Sequence, residues 1–201
     1  MGFFISFEGL DGSGCSTQAQ LLERHFKLRK RAVLLTKEPT NNLIGGLIRG
    51  QLTHEWKSSM ECLQLLFAAD RAHHLEKEIN PALKKNFVVI SDRYKLSSIA
   101  YGSLEADQEW LKKINEKFRD PDLTILLKVS PETCIKRIKS RPSFELFEES
   151  EKLAKIWKVY ESFVSENVVL VDGEKPIEEV HDKIVQIVNE RMKGKEIETF
   201  L

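Results

Sequence analysis

Phe3-Phe4-Ile5-Ser6-Phe7-Glu8-Gly9-Leu10-Asp11-Gly12-Ser13-Gly14-Cys15-Ser16-Thr17 is the stretch whose reading decides the fold. The apolar run 3–7 reads as a buried strand, and an amphipathic helix begins near Thr17. Between them Gly9 and Gly14 stand at the spacing of the G-x-x-x-x-G-K-[ST] loop. There, backbone N–H groups cradle phosphates and a lysine reaches the β- and γ-phosphates. Glycine allows φ > 0 and close approach to an anion. The following helix points unsatisfied N–H groups and its positive dipole end at the same place. Gly9, Gly12, Ser13, Gly14, Cys15, Ser16 and Thr17 are therefore the candidate phosphate-binding residues, with Ser16 placed for Mg²⁺. Cys15 occupies the lysine position. A nucleotide is expected here, without its usual cation.

Outward from this loop, short apolar runs alternate with longer amphipathic ones, the pattern of βα units around a parallel sheet. Strands are expected at 3–7, 32–36, 87–91, 123–129 and 168–171. Helices are expected at 17–30, 58–85, 105–118, 131–139, 148–165 and 177–192, and the polar tail at 193–196 is expected to fray. No repeat or long linker divides the chain, so one α/β domain spanning 1–201 with a five-stranded parallel sheet is expected. Lys plus Arg and Asp plus Glu both total 31, which removes a global electrostatic case for nucleic acid or an anionic membrane. The three cysteines are scattered, which favours reduced thiols and a cytoplasmic location. Met1-Gly2-Phe3-Phe4-Ile5-Ser6 matches a myristoylation pattern, but those residues also form the first buried strand, so no lipid is expected.

A second constellation, Asp92-Arg93-Tyr94, follows the strand 87–91. A carboxylate at a strand end beside a phosphate loop can hold Mg²⁺ through its water shell. The adjacent arginine offers a planar fork to a phosphoryl group. A structural Asp–Arg pair is the rival reading, and the neighbouring loop weighs against it. His73 and His74 face different directions on a helix and read as solvated surface.

Taken together, the motifs resemble the thymidylate kinase family of P-loop nucleoside monophosphate kinases. Phe7-Glu8-Gly9-Leu10-Asp11-Gly12-Ser13-Gly14 is similar to that family's opening, and Glu38-Pro39-Thr40 with Ile48-Arg49 to its second segment. Leu65-Leu66-Phe67-Ala68-Ala69-Asp70-Arg71 and Asp92-Arg93-Tyr94-Lys95-Leu96-Ser97-Ser98-Ile99-Ala100-Tyr101 resemble the third and fourth. Pro121-Asp122-Leu123-Thr124 and the stretch from Pro131 to Arg137 complete the order.

The resemblance implies a three-layer α/β/α fold with a short lid at about 138–147, usually assembled as a homodimer. It implies transfer of the ATP γ-phosphoryl to dTMP, with Mg²⁺ as cofactor held near Ser16 and Asp92. Carried over by position, Phe67 would stack on thymine, Arg71 and Ser98 would read its edges, and Tyr101 would lie beneath the deoxyribose. Asp11, Arg49 and Arg93 would surround the phosphates, Glu38 would line the same cleft, and Arg137 would pack on adenine beside Asp172-Gly173-Glu174. Taken singly, Phe67 and Tyr101 also read as core, and Arg71 as a solvated ion pair.

The second pKa of a phosphate monoester is about 6, so the acceptor is a nucleophile near neutrality without a general base. Catalysis reduces to positioning and charge neutralisation. Cysteine cannot replace lysine in that task, and a thiol at a helix N-terminus is expected to tend toward thiolate. Three readings stay open: a cation from the lid (Lys139 or Arg141), a weak or inactive nucleotide-binding module acting as sensor or partner subunit, or a cysteine introduced to trap the site. Family members that carry a catalytic arginine in the loop place it where Gly12 stands, so the lid reading is preferred.

Overall fold

Five strands run parallel in the order β2-β3-β1-β4-β5, as the alternating pattern predicts. They are β1 (Phe3–Gly9), β2 (Val33–Lys37), β3 (Val88–Asp92), β4 (Leu123–Lys128) and β5 (Val168–Asp172). The structure is a computed structural model and describes residues 2–139 and 146–193. The tail expected to fray is outside that range beyond Lys193. β1 is central and buried along its whole length, so its run of apolar residues lacks polar alternation.

Side-chain parity divides the core in two. Phe3, Ile5 and Phe7 face one side with Val88, Ile90, Leu123, Ile125 and Leu127, against α1 (Cys15–Leu28) and α9 (Ile177–Met192). On the opposite side, Phe4 and Val89 pack with Leu75, Ile79, Leu83 and Tyr94. There too Leu126 packs with Leu96, Ala100, Ile156 and Tyr160 from α5 (Lys95–Gly102) and α8 (Leu146–Glu161). The result is the expected α/β/α sandwich, open along the carboxyl ends of β1 and β3, where ligands of such sheets bind.

Two helices escape the periodicity reading. α2 (Leu43–Leu52) carries Gly45, Gly46 and Gly50, each worth about 1 kcal/mol against helix, and is held by burial of Ile48. α5 is short, with Ser97 and Ser98 near its start. The helix expected over 58–85 is built as α3 (Met60–His74), a π-helical turn at Leu75–Ile79 and α4 (Asn80–Lys84), the last with Pro81 in its first turn. Ser59 caps α3 by accepting from the Cys62 N–H at 3.2 Å. The remaining helices are α6 (Gln108–Asn115) and α7 (Pro131–Lys139).

Candidate active site

A cleft of about 1280 Å³ opens at the carboxyl end of β1, with the glycine loop as its floor. Gly9, Gly12 and Gly14 all take positive φ, as the sequence requires. Gly12 is also confined, because a Cβ there would lie 2.6 Å from the Cys134 carbonyl oxygen of α7. Any side chain at this position would push α7 away from the loop. α1 starts at Cys15, two residues earlier than the apolar period suggests, so its first N–H groups face the loop.

At the foot of the cleft, the Ser16 hydroxyl donates to Asp92 Oδ2 at 2.5 Å. Hydroxyl and carboxylate oxygens converging beside a phosphate loop suit a hard, oxygen-seeking cation that keeps much of its water, which is Mg²⁺ chemistry. Arg93, next along the chain, adopts φ 71°, a left-handed conformation uncommon outside glycine. Its guanidinium donates to the Gly9 carbonyl, pairs with Asp11 Oδ1 at 2.6 Å and lies 5.6 Å over the Tyr101 ring. The Tyr101 hydroxyl accepts from the Asp11 N–H at 2.8 Å. Arg93, Asp11 and Tyr101 therefore form one clamp on the loop.

Beneath this clamp lies Glu8, which is fully buried. Its Oε1 accepts from the Tyr94 N–H at 3.0 Å, and its Oε2 from the hydroxyls of Ser97 and, at 3.3 Å, Tyr160. Burial pushes its pKa up to about 7, against the opposing pull of Ser97 and Arg93. Glu8 joins β1, the turn after β3 and α8.

Residues assigned to the acceptor nucleotide divide into two groups. Glu38, Arg93 and Tyr101 line the cleft. Arg49, Phe67, Arg71 and Ser98 do not. Arg49 donates to the carbonyls of Thr40 and, at 3.5 Å, Pro39, and Phe67 is half-buried on α3. Arg71 is wholly buried: Nε donates to Glu38 Oε2 at 2.8 Å, Nη2 to Ser98 Oγ at 2.8 Å, and Nη1 to Asn115 Oδ1. The reading of Arg71 as a solvated ion pair is thereby excluded. His74, expected on the surface, is also buried, with Nδ1 3.0 Å from Glu38 Oε1 and Nε2 2.7 Å from Thr36 Oγ1. The surface reading fails because this flank of α3 turns inward onto Glu38.

Arg137, expected to pack on adenine, spans from the Ser13 carbonyl (3.4 Å) to the Gly173 carbonyl (3.0 Å), tying the loop to the turn after β5. In that turn Glu174 Oε1 accepts from the Ser130 N–H at 2.8 Å. Thr17 lines the cleft on α1. Arg141 and the Lys139 side chain lie outside the described residues. Cys15 corrects the expectation of a thiolate: its side chain sits in the core with Phe7 and Ala19, and burial pushes its pKa up to about 12. It is a neutral thiol, 3.3 Å from Ser13 Oγ. Desolvation outweighs the opposing pull of Arg93 and Ser13.

Four further residues hold the site together. Asp70 clamps Thr40 through its N–H (2.7 Å) and hydroxyl (2.6 Å), fixing the turn after β2. Asn115 supports Arg71 and Tyr160 supports Arg93 from behind, while Glu8 holds the Tyr94 N–H beside Arg93. Of these only Glu8 carried a local signal, a charge inside an otherwise apolar buried strand.

A parallel sheet with a phosphate loop after its central strand and an Asp–Arg pair after the next defines a P-loop α/β protein of the nucleoside-monophosphate-kinase type. The family model described as thymidylate kinase matches residues 7–184. A "Probable thymidylate kinase" of Pyrococcus abyssi is 40% identical over 204 residues, covering 96% of this chain and 98% of that protein. One from Methanocaldococcus jannaschii is 41% identical over 185 residues, covering 90% and 93%. The chain belongs to the thymidylate kinase family. Among the described residues, no helix is long and apolar enough to cross a membrane.

Proposed function

We propose that this chain transfers the γ-phosphoryl group of ATP to the phosphate of dTMP, giving dTDP and ADP. The observation that carries the proposal is the joining of two half-sites by Arg93. Its guanidinium bonds the Gly9 carbonyl of the phosphate loop and the Asp11 carboxylate, over the ring of Tyr101. An arginine so held sits between a donor phosphate chain on the loop and an acceptor phosphate above Tyr101. It neutralises charge that spreads over the transferred oxygens, without having to reorganise.

In this reading Arg137 lies along the adenine beside the Gly173 turn, and Glu38 holds Arg71, which in turn bonds Ser98, for the acceptor base above Phe67. Arg49 closes on the acceptor phosphate from α2. Ser16 and Asp92 would hold Mg²⁺, which would supply neutralisation of the donor phosphate oxygens. The acceptor phosphate needs no general base, and the buried carboxyl of Glu8 is too far inside to act as one.

Exposed Leu43, Leu47, Leu52 and Leu65 on α2 and α3 support assembly as a homodimer through that flank. The free cysteines support a cytoplasmic setting. Cys15 favours the second reading, a nucleotide-binding module with little turnover. Both are tested by following ADP and dTDP formation from Mg-ATP and dTMP. Turnover supports the kinase, and dTMP binding without turnover supports the module.

A further inference from the structure

Resting on the phosphoryl-transfer reading, we infer that Lys37 supplies the cation that position 15 lacks, contacting the β- and γ-phosphates of the donor nucleotide from the neighbouring strand. Lys37 is the last residue of β2 and pairs in register with Asp92 of β3. Alternation along β2 fixes its side. Val33 and Leu35 pack into the core cluster that contains Cys15, so Lys37 shares their face. Glu38, the next residue, turns the other way to Arg71 and His74.

The ammonium therefore stands on the same side of the sheet as Cys15 and Ser16, one strand beyond Asp92. Its four-carbon stem spans a strand spacing of about 4.8 Å with length to spare. Lys37 lines the main cleft, and also a recess of about 280 Å³ that it shares with Ser16, Gln20 and Asp92. It is exposed and makes no ion pair among the described residues, so its charge is available to a ligand.

The other cations of the cleft are occupied or approach from elsewhere. Arg93 is already assigned to the transferred oxygens from the Gly9 and Asp11 side, and Arg137 bonds the Ser13 and Gly173 carbonyls. Lys152 comes from α8, and Lys175 from beyond the turn after β5, at the far edge of the sheet from β2. Position 12 of the loop cannot supply a replacement, because a side chain there would meet the Cys134 carbonyl oxygen. Among the described cations of the cleft, Lys37 is the one that also lines the recess with Ser16 and Asp92.

The test pairs Lys37→Ala, Lys37→Gln and Lys37→Arg with Cys15→Lys. Calorimetric affinities for Mg-ATP, Mg-ADP, AMP and dTMP are measured beside turnover and melting temperature. Lys37→Ala and Lys37→Gln are expected to lower turnover about 10²-fold and to weaken Mg-ATP about tenfold or more, as loss of one charged phosphate contact does. AMP and dTMP affinities and melting temperature stay at wild-type values, and Lys37→Arg keeps most of the Mg-ATP affinity. Cys15→Lys in the Lys37→Ala background restores both Mg-ATP affinity and turnover, which a merely structural role for Lys37 would not allow. Unchanged Mg-ATP affinity in Lys37→Ala overturns the inference, as does a folded double variant that is not restored. If the wild-type chain makes no dTDP, the phosphoryl-transfer reading fails separately, and the Mg-ATP affinities still decide Lys37.

Discussion

Glu8→Gln replaces a carboxyl that the fold holds in a fully buried position with an amide of the same shape. Burial raises the Glu8 pKa from 4.5 to about 7, so between those values the folded chain binds a proton that the unfolded chain has released. Stability from this group is therefore greatest at low pH and is lost as pH rises through about 7. At about 1.4 kcal/mol per pKa unit, the loss amounts to roughly 3 kcal/mol by pH 8. Glutamine cannot ionise, and its amide still accepts from the Tyr94 N–H and can donate to Ser97 and Tyr160, whose hydroxyls rotate. Urea unfolding of both proteins from pH 5 to pH 8.5 isolates the effect, since the other carboxylates cancel in the difference. The variant should exceed wild type by about 1 kcal/mol at pH 5 and by about 3 kcal/mol at pH 8. A difference that does not vary with pH, or a variant weaker at pH 8, would refute the reasoning. The latter result would mean that Arg93 holds Glu8 as a carboxylate.

Three more outcomes follow from the same geometry. Of the three free cysteines, Cys62 is exposed while Cys15 and Cys134 are buried with pKa values pushed up to about 12, so a thiol reagent at pH 8 should titrate one thiol quickly and two only on unfolding. Arg71→Lys loses the fork that joins Glu38, Ser98 and Asn115 and leaves Glu38 under-paired in the interior. Denaturant unfolding should register a cost of about 1–3 kcal/mol, and dTMP should bind more weakly. Asp92→Asn removes the carboxylate that accepts from Ser16; a Mg²⁺ titration of turnover should shift to about 10–100-fold higher concentration, and an unchanged titration would separate Asp92 from the metal.

The sheet was legible because buried parallel strands leave apolar runs with little else inside them, as at Phe3–Gly9 and Leu123–Lys128. The phosphate loop was legible because its glycines answer a local backbone demand. α2 was not, since its three glycines suppress the helical signal and only packing restores it. Residues whose task is to hold another side chain were also hidden. Asn115 and Tyr160 lie 44 and 67 residues from the arginines they support, and nothing near them in sequence marks that contact. Cys15 shows the limit from the other side. Its helix-terminal position argued for a thiolate, and burial against Phe7 and Ala19, a tertiary fact, reversed the sign. His74 was misread for the same reason.

The cleft, the Arg93 clamp and the buried Arg71–Glu38 pair all bear on one reaction. Mixing the purified chain with Mg-ATP and following ADP release with and without dTMP tests it most directly. A dTMP kinase releases ADP only when dTMP is present and forms one dTDP for each ADP. ADP release indifferent to dTMP, or none despite bound dTMP, would contradict it.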